Sequence, residues 1–285
     1  MTQTLLSLGH GYSAAALAAR VLPLGWRVLG TTRKPERAEL LRAQGVTPLI
    51  VGTDDISAAV HQATHLLSSA GPSAEGDPFL PLLAPAIEAA PNLSWIGYLS
   101  TTGVYGDRGG DWVDEDSETN PESARGQWRL AAEQDWRALG GHIFRLAGIY
   151  GPGRGPFSKV RSGQARRIIK PGQVFGRIHA DDIAQIVAAS MARPNPGQIY
   201  NCSDDMPAPP QDVIGYAAQL LGLPLPPEEP FETAEMSPMA RSFYAANRRV
   251  RNTRIKSELG VRLLYPDYKV GLRDLLKREQ AESAQ

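Results

Sequence analysis

The sequence predicts a doubly wound, parallel α/β sheet with a small C-terminal lobe. Two observations carry that prediction. The first is a strand–turn–helix opening: the apolar run Leu5-Leu6-Ser7-Leu8, the turn Gly9-His10-Gly11-Tyr12-Ser13-Ala14, then a small-residue helical run over 15–20. The second is the alternation of short apolar strand runs with helical segments through 1–203, joined by brief loops. That alternation gives a parallel sheet with right-handed crossovers. In such Rossmann-type sheets ligands sit beyond the carboxyl ends of the strands.

Composition excludes several classes. Thirty basic residues balance thirty acidic ones, so no global field draws nucleic acid or an anionic membrane. Hydrophobic residues make up 42% of the 285-residue chain, enough for one large domain or for a sheet domain with a companion. A single cysteine, Cys202, allows no intramolecular disulfide and fits a reducing compartment. The N-terminal apolar stretch is too short for a signal peptide and lacks a preceding basic region, and no run approaches a membrane span. The expectation is a cytoplasmic protein.

The opening turn reads as a phosphate cradle. Gly9 permits the tight turn and Gly11 lets backbone approach a pyrophosphate. Small Ala14 lets the helix pack close, and the N–H groups near Tyr12 and Ser13 face the anion. The second strand, 26–33, ends at Thr31-Thr32-Arg33, with Lys34 and Arg37 close behind. An acidic residue there would accept bonds from the 2′-hydroxyl of NAD. Hydroxyls and guanidinium groups instead suit a 2′-phosphate, so NADP(H) is expected over NAD(H), unless these cations form only a solvated helix start. The third strand, 47–52, ends at Thr53-Asp54-Asp55. Either aspartate could cap the next helix or accept a bond from the adenine amino group, and Asp54 is a cofactor-binding candidate. His61 and His65 stand four apart, but with no third ligand nearby no metal site is expected. The fourth strand closes at Ser69-Ala70-Gly71, where its loop would pass the cofactor. Asp77-Pro78 opens a helix through Glu88, and the fifth strand, 95–100, runs into Thr101-Thr102-Gly103-Val104-Tyr105-Gly106.

In the second half, 143–150 reads as one sixth strand and 151–156 as a turn toward the substrate. Lys159, Arg161, Arg166, Arg167 and Lys170 form a basic stretch, either a solvated face or an attraction for a phosphorylated substrate. Residues 174–182 return to the core and start a helix to Met191, and 199–202 is a seventh strand. The lobe opens at 204–210 with a helix through Leu221. The prolines of 223–230 bar a helix and imply a surface loop. Arg241, Arg248, Arg249 and Arg251 follow, then a helix over 272–278 and a polar tail over 279–285. The division is a dinucleotide-binding part at 1–154, rejoined by 174–203, and a lobe at 155–173 and 204–285.

Five blocks in this order resemble the extended short-chain dehydrogenase/reductases, the NAD(P)-dependent epimerase/dehydratase type. They are the glycine turn, 100–106, Arg145-Leu146-Ala147-Gly148-Ile149-Tyr150-Gly151-Pro152-Gly153-Arg154, Arg177-Ile178-His179-Ala180-Asp181-Asp182-Ile183-Ala184, and Tyr200-Asn201-Cys202-Ser203. Residues 248–276 also look like that family's C-terminal region. The resemblance implies a Tyr-x-x-x-Lys pair on the helix after the fifth strand, with a hydroxyl at that strand's end. The tyrosine moves the proton, the lysine lowers its pKa and holds the nicotinamide ribose, and the hydroxyl orients a carbonyl.

Thr101 matches the hydroxyl, with Ser100 beside it. Arg129-Leu130-Ala131-Ala132-Glu133 aligns with the family's Ser-Lys-Leu-Ala-Ala-Glu ending, which puts Arg129 in place of lysine and Arg125 in place of tyrosine. Arg129 keeps the charge. Arg125 stays protonated at working pH and cannot shuttle a proton. Asp77 falls where the family has a fourth active-site residue, an asparagine. Such substitutions mark the atypical members, which this chain resembles.

Proton-donor candidates elsewhere are His10, Tyr12, Tyr105 and Tyr150. Arg125 and Arg129 form either a solvated face or an anion contact. The implied function is an NADP-binding reductase or epimerase acting on a small or nucleotide-linked carbonyl or hydroxyl substrate. The alternative is a catalytically degenerate NADP(H)-binding regulatory or redox-sensing protein. A monomer or a homodimer is compatible with both.

Overall fold

The computed structural model describes residues 2–283. β1 (Thr4–Leu8) feeds α1 (Tyr12–Val21), β2 (Arg27–Thr32) precedes α2 (Ala38–Ala43), and β3 (Thr47–Ile50) precedes α3 (Ile56–Gln62). β4 (His65–Ser68) and α4 (Leu80–Glu88) lead to β5 (Trp95–Thr101), the short β6 (Trp112–Val113) and α5 (Ala124–Ala138). Next come β7 (His142–Leu146), β8 (Gly148–Tyr150), α6 (Phe157–Arg161), β9 (Arg167–Ile169), β10 (Arg177–His179), α7 (Ala180–Ala192) and β11 (Ile199–Cys202). The C-terminal part holds α8 (Pro210–Leu221), β12 (Glu228–Pro230), α9 (Pro238–Phe243), β13 (Arg249–Val250), α10 (Thr253–Ser257) and α11 (Tyr268–Ser283).

Seven strands form one parallel sheet in the order β11-β7-β5-β4-β1-β2-β3. The chain winds outward from β1 in both directions, so the crevice between β1 and β4 is the switch point where such sheets bind ligands. β1, β4, β7 and β11 are buried along their whole length, as strands covered on both faces must be. One face packs Leu17 and Val21 of α1 and Ile183 and Val187 of α7. The other packs Val60 of α3, Leu83 and Ile87 of α4, and Trp136 of α5. A separate core of Tyr150, Phe157, Val213, Leu272 and Leu275 gathers α6, α8 and α11. The fold is the Rossmann-type, doubly wound sheet with a smaller C-terminal lobe.

Four local expectations change. The apolar run 143–150 is two strands: Ala147 N still bonds to Cys202 O, but Gly148 N bonds to Gly176 O, and β8 pairs with β10 outside the main sheet. The proline-rich 223–230 ends in β12, which pairs with β9, so its last residues are strand rather than free loop. The polar tail from Glu279 continues α11 as far as Ser283, and its final residues 284–285 lie outside the described range. Ile255, Leu259 and Val261 pack into the first core, so this stretch of the C-terminal segment joins the sheet rather than the lobe. No described helix is long and apolar enough to cross a membrane.

Candidate functional site

The glycine turn is held from two sides. Gly9 has φ of +73°, which a side chain resists, and a Cβ there would stand 3.1 Å from Ala70 N. Thr31 grips the turn from β2: Gly9 N donates to Thr31 Oγ1 at 2.7 Å and His10 N to Thr31 O at 3.0 Å. Ser69, just past β4, donates its hydroxyl to Gly9 O at 2.5 Å. Beyond the turn, Gly11 caps α1 with no side-chain bond, and no acidic residue occupies the first turn. The leading N–H groups of α1 thus face outward at the positive end of its dipole, free to receive an anion. Ser13 and Ala14 are buried beneath them.

At the end of β2, Thr32 is buried and its Oγ1 accepts a bond from Lys34 N at 3.1 Å. Arg33 and Lys34 are exposed and Arg37 is half-buried. Among the described residues no carboxylate pairs with any of the three. His10 lies beside them over Gly30, where a Cβ would come within 2.9 Å of the imidazole. The ring is buried and neither nitrogen has a partner, an arrangement that costs about 1–3 kcal/mol per orphaned group. Burial, and secondarily the charge of Arg37, push its pKa down to about 4, so the ring is neutral at pH 7.

At the end of β5, Thr101 Oγ1 accepts from Gly103 N at 3.0 Å and caps the following turn. Its hydroxyl proton has no acceptor among the described residues. Arg129 of α5 donates to Leu99 O at 2.9 Å and to Tyr98 Oη at 3.1 Å, with its guanidinium 5.6 Å from the Tyr98 ring centre. Its second nitrogen lies 3.5 Å from where a Gly71 Cβ would stand, which brings α5, β5 and the β4 exit together. Arg125, one turn earlier, is exposed and unpaired among the described residues. The two arginines thus have different surroundings: one is seated, the other free.

Several residues selected from the sequence have their polar atoms committed within the protein. Asp77 accepts from Phe79 N (2.8 Å), Leu80 N (3.1 Å) and Trp136 Nε1 (2.9 Å), so it ties the start of α4 to α5. Asp54 accepts from Ile50 N at 2.6 Å and closes the turn after β3, while Asp55 caps α3. Ser100 donates to Glu133 Oε1 at 2.5 Å, inside a buried pair in which Arg145 reaches Glu133 at 2.8 Å. Tyr105 donates to Asn201 Oδ1 at 2.7 Å, and burial pushes its pKa up to about 12. Burial also raises Tyr150, whose hydroxyl is enclosed. Neither tyrosine is a ready proton donor.

Three of the five cations in the basic stretch of the lobe are neutralised. Arg161 meets Glu279 at 2.6 Å, Arg166 meets Glu229 at 2.8 Å, Arg167 meets Glu228 at 3.0 Å, and Lys170 donates to Tyr244 O. Its expected attraction for a phosphorylated substrate is therefore cancelled for the three arginines. Sequence reasoning missed the grip of Thr31 and the buried pair Glu133–Arg145. Each joins residues distant in the chain, and only the alternation of buried positions hinted that an internal partner was needed.

No family model matches the chain. A protein of unknown function from Silicibacter pomeroyi DSS is 58% identical, covers 97% of this chain and 99% of its own, and superposes with a TM-score of 0.94. Protein YeeZ of Escherichia coli K12 is 29% identical over 279 residues, 91% of this chain and 95% of its own. A Methylobacillus flagellatus protein, provisionally named an NAD-dependent epimerase/dehydratase, is 27% identical over 98% of this chain and 99% of its own, with a TM-score of 0.74. With the sheet order and the turn that follows β1, these likenesses show the Rossmann-type fold of the NAD-dependent epimerase/dehydratases, and the chain is similar over nearly its whole length to a protein of that type.

Proposed function

We propose that the chain binds NADP(H) at the glycine turn and acts as a reductase or epimerase on a small or nucleotide-linked carbonyl or hydroxyl substrate. The observation that carries this reading is the end of β2, where Arg33, Lys34 and Arg37 have no described carboxylate partner. A bound 2′-phosphate would neutralise them, whereas the 2′-hydroxyl of NAD would leave them uncompensated. The dinucleotide would rest on Gly9, Gly11, Tyr12, Ser13 and Ala14, with Thr32, Arg33 and Arg37 at its adenosine end. Asp54, Ser69, Ala70 and Ser100 would shape the rim through the backbone they hold. The uncapped α1 and the close approach of Gly9 to Ala70 support the fit.

The bound cofactor supplies hydride chemistry. Around it, Thr101 donates its free hydroxyl proton to a substrate oxygen and polarises the carbonyl. Arg129, anchored on Leu99 O, holds a fixed positive charge over the ribose side of the cleft. Arg125 offers a mobile guanidinium to an anionic substrate and does not transfer a proton. A reducing cytoplasm suits the buried, unpaired Cys202.

A second reading is favoured by the enclosed hydroxyls of Tyr105 and Tyr150, which leave the family's proton donor without a replacement at either position. On that reading the protein senses the NADP(H) ratio without turnover. Titration by tryptophan fluorescence tests the cofactor: NADPH should bind more tightly than NADH, and a clear NADH preference rejects the proposal. NADPH oxidation against aldehydes, ketones and nucleotide sugars tests the chemistry. Thr101→Ala should lower turnover by about 10²-fold, the usual loss of an oxyanion donor. Tight NADPH binding without turnover across the panel favours the sensor.

A further inference from the structure

The loop after β8 folds back onto the glycine turn. Gly151 and Arg154 bond each other's backbone, N to O, at 3.0 and 2.9 Å, and make a tight turn that leads into α6. Tyr12 crosses to it: its hydroxyl donates to Pro152 O at 2.9 Å, and the Arg154 guanidinium lies 5.7 Å from its ring centre. Gly151 makes room for that crossing. A Cβ there would stand 2.5 Å from the Tyr12 hydroxyl, and its φ of +153° disfavours a side chain.

Arg154 is exposed, and no described carboxylate pairs with it, unlike Arg161, Arg166 and Arg167 just beyond. Asp181, whose charge acts on Tyr12, is paired with Arg278 at 2.9 Å. The free guanidinium lies 5.7 Å from the ring centre of Tyr12, the first residue of α1, a helix whose N-cap makes no side-chain bond. The leading N–H groups of that helix and the rest of the turn offer only neutral donors to an anion. A guanidinium adds full charge and a two-pronged donor geometry suited to phosphate oxygens.

We propose that Arg154 is the charged contact to the diphosphate of the bound dinucleotide, held over the glycine turn by Tyr12. The proposal rests on the cofactor reading above. A phosphate of a nucleotide-linked substrate has the same chemistry, but the place over the Tyr12 ring assigns Arg154 to the cofactor. Because Arg154 belongs to the loop entering the lobe, the diphosphate would join the sheet and the lobe.

The test compares AMP, ADP-ribose and UDP on wild type, Arg154→Met and Arg154→Lys by calorimetric titration. Methionine keeps an apolar stem over Tyr12 and removes the charge. ADP-ribose should bind Arg154→Met about tenfold more weakly than wild type, as loss of one charge-assisted contact predicts, with AMP within about twofold. Arg154→Lys should fall between the two proteins and keep its salt dependence. Unchanged ADP-ribose binding to Arg154→Met overturns the proposal, as does an equal loss for AMP, which would mean damage to the whole turn. A loss confined to UDP overturns it by assigning the residue to the substrate. Should wild type bind neither AMP nor ADP-ribose, the cofactor reading itself fails. Should Arg154→Met not fold, the lysine variant decides: wild-type ADP-ribose affinity and salt dependence together reject the bidentate contact.

Discussion

Arg33, Lys34 and Arg37 follow β2, and Arg161, Arg166, Arg167 and Lys170 run through the lobe. In the sequence both are clusters of cations in a chain of zero net charge. In space they differ. Glu279 of α11 and Glu228 and Glu229 of β12 come from more than sixty residues away to pair with the lobe arginines, whereas Glu36 and Glu39 stay off the cations beside them, Glu39 pairing with Arg42. Whether a cationic run is a surface or a site thus depends on who arrives from elsewhere in the chain. A fold that leaves three cations uncompensated at the carboxyl end of β2 keeps a positive potential there for an anionic ligand.

The largest expected effect lies at the unpaired end and concerns His10. Its folded pKa of about 4 lies below its unfolded value near 6.5, because burial and Arg37 both oppose the charged ring. The unfolded chain therefore takes up the proton first as the pH falls. The stability tied to the neutral ring is full above pH 6.5 and is lost as the pH falls toward 4. The linked free energy is about 3 kcal/mol over that window. Urea unfolding of His10→Asn should give a flatter acid limb than wild type. Parallel curves between pH 7 and 4 would mean that the ring is not held neutral beside Arg37.

Next in size is cofactor discrimination. Arg33→Ala combined with Arg37→Ala should weaken NADPH by roughly 10- to 100-fold and leave NADH within about twofold, since only the 2′-phosphate draws charge-assisted bonds from these groups. Competitive titration of the two nucleotides reads the ratio directly. An unchanged ratio would move the 2′-phosphate contact away from β2 and remove the functional meaning of the comparison.

Local features of the fold were legible because their causes are local. The turn at Gly9 and Gly11, the small Ala14 and the apolar strands each need only neighbours in the sequence. The break at Ala147 was not legible, since the apolar run is continuous and only the hydrogen-bond partner changes, from Cys202 to Gly176. The site divides in the same way. Its strand-end positions followed from topology, so Thr101, Ser69 and Arg33 were found together at one edge. The state of each polar atom did not follow. Asp77 is committed to Trp136, 59 positions away, and Ser100 to Glu133, 33 positions away. A residue type announces what it can donate or accept, but not whether the fold has already used it.

The smallest expected effect belongs to the paired stretch, and it is the sharper control for being small. Arg166 is 39% exposed and Glu229 29%, while Arg167 is 20% exposed and Glu228 59%. Ion pairs so open to solvent contribute about 0.2–1 kcal/mol each, and salt screens them. Arg166→Ala with Arg167→Ala should therefore lower thermal stability slightly at low ionic strength, with less difference from wild type in 1 M salt. The affinity for NADPH should stay within about twofold of wild type, because these guanidinium groups already have carboxylates to neutralise them. A tenfold loss of NADPH binding in that variant would show their charge acting at the cleft despite the pairs. The contrast between the two basic runs would then reflect distance from the glycine turn rather than pairing.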